Sequence, residues 1–353
     1  MSTELSADPD VRGDEDARSV VRRARRALRG LDRRFLPVLG TVLTLLVMLG
    51  IGQQRYSTER VDFVSMKLLS NLLVDNSYLL VLAIGMTFVI LTGGIDLSVG
   101  AVVALVGLAI AELFTLGLPL PVVLALGVLI GTSCGLLIGV MVQVFDIQPF
   151  IASLAVMFLA RGLANVISVN SLKIDDEGFS ALAAWSLKFG EGRQLWRINA
   201  SMLVALAVLL IAFLILHYTR FGRSVYGLGA GDGGAAVNLM GLRPARTRVW
   251  VYVISGTCAG IAGVLFALYT KSGFNLTGIG MELDAIAAVV IGGTLLSGGV
   301  GFVLGTGAGV LVYGLIQVLI AREGLDSWWT RVFIGVVLLA FVILQRVLAV
   351  RRR

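Results

Sequence analysis

Gly93-Gly94-Ile95-Asp96-Leu97-Ser98-Val99-Gly100 interrupts two apolar runs, 76–92 and 99–111. It supplies nearly all the polar atoms in that part of the chain. Glycine lets a backbone turn sharply or lie against a neighbour. An ionisable side chain such as Asp96 at membrane depth is costly, and by default it marks function. The rest of the chain reads as the scaffold around this break.

Apolar runs of about 18 or more residues recur outward from it, the length a membrane helix needs. Hydrophobic residues make up 57% of the 353 and charged residues 14%. A soluble protein has about 25% charged residues. The alternating ten-residue segments of a transmembrane barrel are absent. The sequence therefore predicts an all-α polytopic membrane protein. With 43 glycines and only 6 prolines, it suits close helix packing in lipid. Ten transmembrane or re-entrant segments are expected, near 35–52, 75–92, 98–115, 119–143, 150–168, 201–217, 248–270, 283–296, 299–320 and 330–348. The eighth is too short to span upright at about 20 residues per helix, and 60–74 reads as a weakly amphipathic interfacial stretch.

Charge orients this scaffold. The first 16 residues are acidic and read as disordered. Residues 17–34 carry eight arginines, which suit either an anionic membrane surface or retention of the N-terminus inside. The first apolar run starts late and lacks an obvious small-x-small cleavage site, which argues against a removable signal peptide. With the N-terminus inside and all ten segments crossing, 18 of the 29 lysines and arginines face the interior. Both termini are then cytoplasmic, with tails at 1–34 and 349–353 flanking a membrane domain over 35–348. The net charge of +7 is explained by this topology and requires no nucleic acid.

The break has an echo. Residues 93–100 align with Gly292-Gly293-Thr294-Leu295-Leu296-Ser297-Gly298-Gly299 at an offset of 199, with five of eight positions identical. Glycine-interrupted segments recurring in two halves of a transporter point to its translocation path. Thr92, Gly93, Gly94, Asp96, Ser98, Gly292, Gly293, Thr294 and Ser297 are the candidates for it. The charge assignment puts both breaks on one side of the membrane, against a simple inverted repeat. Asp96 admits two compatible readings, of which the first is favoured. It caps the following helix, where a negative charge meets the helix dipole, or it accepts hydrogen bonds from a polar substrate.

Arg161 lies about 16 Å into its segment at 1.5 Å per residue. It needs a carboxylate or several carbonyls unless it snorkels outward. Glu112 and Asp284 are the candidate partners. Residues 218–247 form the largest interior loop. Within it, Asp232 is placed to cap a short helix ended by Gly241, a handle for a soluble partner or an ordinary tether between halves.

Catalytic signatures are missing. The single histidine, His217, has no second ligand, so no metal site is expected. Cys134 and Cys258 form no spacing motif. There is no Gly-x-Ser-x-Gly and no Gly-x-x-x-x-Gly-Lys-Ser/Thr. The chain therefore reads as a non-enzyme without a cofactor, and any ATP-driven work needs another polypeptide. An ion-driven secondary transporter would want more buried ionisable groups than Asp96, Glu112 and Arg161.

The run from Gly85-Met86-Thr87 through Gly93-Gly94-Ile95-Asp96-Leu97-Ser98-Val99-Gly100 resembles permease subunits of bacterial ABC sugar importers of the ribose, xylose and galactofuranose type. The likeness continues through 158–164, 219–241, 255–263, 285–301 and Ser327-Trp328-Trp329, covering roughly 75–345. Glu282-Leu283-Asp284-Ala285-Ile286-Ala287 and the second glycine stretch look most like a galactofuranose importer permease. The resemblance implies a bacterial plasma-membrane subunit pairing with a second permease, alike or different. It also implies two ATPase subunits on the interior face and an extracytoplasmic sugar-binding protein. Arg220, Arg223, Asp232, Ala235, Ala236, Asn238 and Gly241 then fall in the ATPase-coupling region. The family often has Gly-Gly-Asn where this chain has Ala230-Gly231-Asp232. Related permeases carry nucleosides or branched-chain amino acids, so cargo stays open.

Overall fold

A computed structural model describes residues 36–57, 62–192, 195–231, 235–239, 241–326 and 328–350. The tails over 1–34 and 351–353, and Asp232, lie outside these. The described residues form fourteen helices. In chain order they begin with α1 (Leu36–Tyr56), α2 (Met66–Asp75), α3 (Ser77–Leu91), α4 (Val99–Thr115), α5 (Leu120–Val144), α6 (Pro149–Ile167) and α7 (Glu177–Ala184). They continue with α8 (Ala200–Tyr218), α9 (Arg220–Leu228), α10 (Ala235–Leu239), α11 (Pro244–Thr270), α12 (Met281–Ile291), α13 (Val303–Arg322) and α14 (Trp328–Val350).

All ten expected segments are helical, but not all are span-length. Six helices are long and apolar enough to cross a membrane alone: α1 from Val38, α5, α6, α8, α11 and α13. α2 and α3 qualify only as a pair, bent by 64°. The stretch expected at the interface is thus largely the first arm of a broken helix. α4 and the apolar part of α14 are shorter, and α12 has 11 residues. α12 ends at Ile291, before the expected 296, because Gly292-Gly293 turns the chain there.

Burial sorts the helices. In α3 every residue except Tyr78 is buried, and in α4 the first thirteen are. A helix that is apolar all round belongs inside. α1, α6, α8 and α14 instead show large apolar side chains outward, among them Leu43, Phe158, Leu210 and Val336. The heart of the bundle is α3, α4, α11, α12 and α13.

The tightest packing is between α5 and α11. Gly127, Gly131, Gly135 and Gly139 recur every fourth residue along one side of α5. A Cβ on Gly131 would stand 2.4 Å from Gly256 O, and one on Gly135 would stand 2.2 Å from Tyr252 O. Small residues at this spacing let two backbones touch in lipid. Thr132 and Thr257 hydroxyls bond across the same seam at 2.9 Å.

The connections collect at two ends. At one, β1 (Leu172–Lys173) pairs antiparallel with β4 (Ser272–Gly273), and β2 (Ser186–Phe189) pairs with β3 (Trp196–Asn199). These ribbons are the departure from an all-helical chain. Asp176 Oδ1 accepts from Phe179 N–H at 2.7 Å and starts α7 there. At the opposite end lie both glycine breaks and the α9–α10 loop.

Candidate functional site

The first break is built by backbone geometry. Gly93 N–H bonds back to Ile90 O at 2.9 Å and Gly94 N–H to Val89 O at 3.1 Å, with Gly93 at φ +80°. That is the paired closure of a Schellman motif, which needs a left-handed residue. The chain then runs extended to α4. Asp96 is fully buried on this stretch. Its Oδ1 accepts from Ser98 N–H at 2.9 Å and from Ser98 Oγ at 2.6 Å. Its Oδ2 accepts from Ser255 Oγ of α11 at 2.8 Å. Asp96 therefore fixes the entry to α4 and staples it to α11. Ser255 carried no sequence signal, since nothing marks one serine in an apolar run.

The second break repeats the first in a shifted register. Gly293 N–H bonds to Val290 O at 2.9 Å and Thr294 N–H to Val289 O at 3.2 Å, with Gly293 at φ +92°. Gly93 thus corresponds to Gly293, an offset of 200. The sequence alignment at 199 is one residue out, because a Gly-Gly pair matches equally well whichever glycine turns. Gly292 is instead a packing residue: a Cβ there would stand 2.5 Å from Gly305 O of α13. No carboxylate follows this break. Thr294 is buried with its hydroxyl unbonded, and Ser297 is exposed.

The two breaks touch. Gly299 N–H donates to Leu91 O at 2.8 Å. A Cβ on Gly298 would stand 2.8 Å from Gly93 N. Gly229, which closes α9, inserts at the same point: its Cβ would be 2.0 Å from Leu91 O and 2.1 Å from Gly299 N. Tyr226 of α9 also donates to Gly301 O at 2.9 Å. Three segments far apart in sequence thus meet backbone to backbone. Sequence reasoning missed Gly229, Gly298 and Gly299 because such a junction is visible only when all three are placed.

Arg220 and Arg223 are exposed on α9, whose start is capped by Thr219 Oγ1 accepting from Gly222 N–H at 3.1 Å. Ala235 and Ala236 open α10, Asn238 is exposed, and Gly241 (φ +68°) ends it by bonding back to Asn238 O at 2.9 Å. A cavity of about 490 Å³ opens beside the first break, lined in part by Thr92, Gly93, Gly94, Asp146, Arg248 and Tyr252.

Arg161 lies farther along α6, between the first break and the ribbons. Its Nη1 donates to Asn275 O at 2.5 Å and Thr277 O at 2.7 Å. The expected carboxylates are not its partners. Glu112 is exposed in the last turn of α4, and Asp284 faces Tyr313 and Arg331. The chain after β4 folds back along α4, so a Cβ on Gly100 would stand 2.3 Å from Gly278 O. That fold-back brings carbonyls to Arg161 first. His217 stacks near Phe302 with Nδ1 3.0 Å from Phe213 O. Among the described residues no cluster of three metal-ligating side chains occurs.

The family model described as "Branched-chain amino acid transport system / permease component" matches residues 68–342, nearly all of this helical core. The chain belongs to this permease family. A fructose import permease of Bifidobacterium longum is 39% identical over 319 residues, covering 90% of this chain and 92% of that one. The Escherichia coli inner membrane ABC transporter permease YjfF is 42% identical over 313 residues, 87% and 93% of the two chains. The E. coli ribose import permease is 36% identical over 305 residues, 86% and 92%. The galactofuranose likeness has its counterpart in an E. coli galactofuranose transporter permease, 36% identical over 270 residues and 75% of each chain. No solved structure matches. The permease is thus a multi-pass membrane transport subunit and not an enzyme, and its two glycine breaks lie inside the family's matched region.

Proposed function

We propose that this permease forms the translocation path for a monosaccharide in an ATP-binding cassette importer of a bacterial plasma membrane. The observation that carries this reading is the junction of Gly229 with both breaks. α9 belongs to the 218–247 loop, where a coupling region is expected, and Gly229, which closes it, rests on the backbones of Leu91 and Gly299. A push on the loop is thereby a push on both breaks. Ligand and ATPase contacts must differ in energy between two states, or nothing moves. The junction offers such a difference, since small displacements make or break the Gly299–Leu91 hydrogen bond.

In this reading ten helical segments within 35–348 cross or re-enter the membrane. Both termini and the α9–α10 loop are cytoplasmic, and the ribbons of 172–199 face outward to the sugar-binding protein. Two separate ATPase subunits hydrolyse ATP, and a second permease completes the pore. Fructose, ribose and galactofuranose in the relatives' names favour a sugar. The family description keeps branched-chain amino acids as the second reading.

Proteoliposomes containing the permease, its genomic-neighbour ATPase and binding protein should take up labelled sugar only with internal ATP and both partners. Uptake by the permease alone on an ion gradient would overturn the proposal. A binding protein that holds leucine but no sugar would select the second reading.

A further inference from the structure

A second cavity, of about 650 Å³, lies beside the α9 junction, between the end of α8, the start of α9 and the first three turns of α11. Its lining divides by chemistry. Arg220, Arg243 and Arg246 stand at its mouth, all exposed. Among the described residues none of the three forms an ion pair; the pairs present are Arg55–Glu323 and Lys173–Asp175. Below them the wall is Ile215, Trp250 and Ile254. Trp250 is 47% exposed, an aromatic at the level where a membrane helix leaves the headgroups. Ile254 lies four residues beyond Trp250, about 6 Å deeper along the helix at 1.5 Å per residue. The hydroxyls on the floor are already paired, Ser224 with Thr247 at 2.7 Å.

We propose that this cleft binds an anionic phospholipid, its phosphate on Arg220, Arg243 and Arg246 and one acyl chain laid along Trp250 and Ile254. Arginines at the rim, with no ion-pair partner among the described residues, select negative charge, and basic pockets between membrane helices suit such headgroups. The satisfied floor gives a polar ligand nothing to bind. The apolar wall runs on past Trp250 to Ile254, so an occupant that carries both a negative charge and a hydrocarbon chain uses the rim and the groove together. A lipid held there braces α9 against α11, one helix turn from Ser255.

The test is native mass spectrometry of the full chain in detergent, titrated with phosphatidylglycerol, phosphatidylcholine or glycerol phosphate. Each arginine near a charged surface gives about a fivefold preference, so two account for about 25-fold. Wild-type protein should prefer phosphatidylglycerol to phosphatidylcholine by at least that factor. Arg243→Gln/Arg246→Gln should cut the preference by about 25-fold, Arg243→Lys/Arg246→Lys should restore most of it, and Lys173→Gln at the opposite end should keep it. Equal retention of the two lipids by the wild type overturns the proposal, as does a preference that the double glutamine variant leaves unchanged. Competition by glycerol phosphate as strong as by the lipid would show a phosphate site and likewise overturn it. So would an acidic soluble peptide that displaces the lipid at equal concentration. The readout is lipid retention, so it stands or falls separately from sugar uptake.

Discussion

The two glycine breaks end their helices in the same way and leave them differently. α3 and α12 each close on a left-handed glycine, Gly93 and Gly293, with matching backward hydrogen bonds. After Gly93 the chain is held by a buried carboxylate that bonds its own strand and α11. After Gly293 it passes Thr294, whose hydroxyl is unbonded, and makes a loop with Gly298 and Gly299 both at positive φ. The first break is anchored by a buried carboxylate of its own, while the second is held by side chains reaching in from elsewhere, with Thr41 donating to Ile291 O, Gln345 to Val290 O at 3.1 Å and Tyr226 to Gly301 O at 2.9 Å.

Substitutions at four positions press on that contrast. The largest effect is expected from Gly229→Val, since the first added carbon already overlaps Leu91 O and Gly299 N. Overpacking of this kind costs about 1–3 kcal/mol, enough to bias a two-state balance by roughly 5- to 150-fold. Sugar uptake in proteoliposomes should fall by that order while the protein still elutes as a single species. Uptake within twofold of wild type would remove α9 as the link between the breaks.

Next comes the anchor. Asp96→Ala strips the acceptor from three hydrogen bonds and should cost about 2–4 kcal/mol, read as a lowered unfolding midpoint in detergent. Asp96→Asn keeps an acceptor for Ser98 and should lose clearly less. If Asn loses uptake at normal expression, the carboxylate acts on the cargo as well. The matching change at the second break has the opposite sign. Thr294→Val removes an unbonded buried hydroxyl and should be neutral or stabilising by about 1 kcal/mol. Destabilisation equal to that of Asp96→Ala would erase the contrast.

The smallest effect lies far from both breaks. Tyr56 and Arg55 bond the exposed Glu323 carboxylate and hold its pKa below the ordinary value. A depressed folded pKa gives stability that is present above the unfolded value of about 4.3 and fades as pH falls through the folded one. Glu323→Gln should flatten that acid limb of the melting curve and leave neutral pH nearly unchanged, because solvent screens the pair. A large loss at pH 7 would show that the ends of α1 and α13 matter more than the breaks.

Long apolar helices were legible because hydropathy states their environment directly. Expected segments 119–143, 150–168 and 201–217 differ from α5, α6 and α8 by one residue at each end. The short elements of 172–199 were not, because their ribbons depend on partners such as Ser272 and on local capping by Asp176. The existence of the breaks was legible from glycine, while their register needed the φ angles. Arg161 announced that it required partners, but carbonyls leave no mark in sequence, so Glu112 and Asp284 drew attention that belonged to Asn275 and Thr277. Gly229 stood in plain view beside Leu228 and gained meaning only from Leu91 and Gly299.

The seam between α5 and α11 bears on where cargo can travel. With Gly131 and Gly256 so near that either Cβ would collide with the opposite carbonyl, no film of water fits between these helices. The seam acts as a gasket about 18 Å long, from Gly127 to Gly139 at 1.5 Å per residue. The other side of α11 is close-packed as well, since Ser255 there holds the buried Asp96. A single methyl introduced at Gly135 would pry that gasket open, so unregulated ion conductance through the membrane, with no nucleotide present, is the symptom to look for in such a variant.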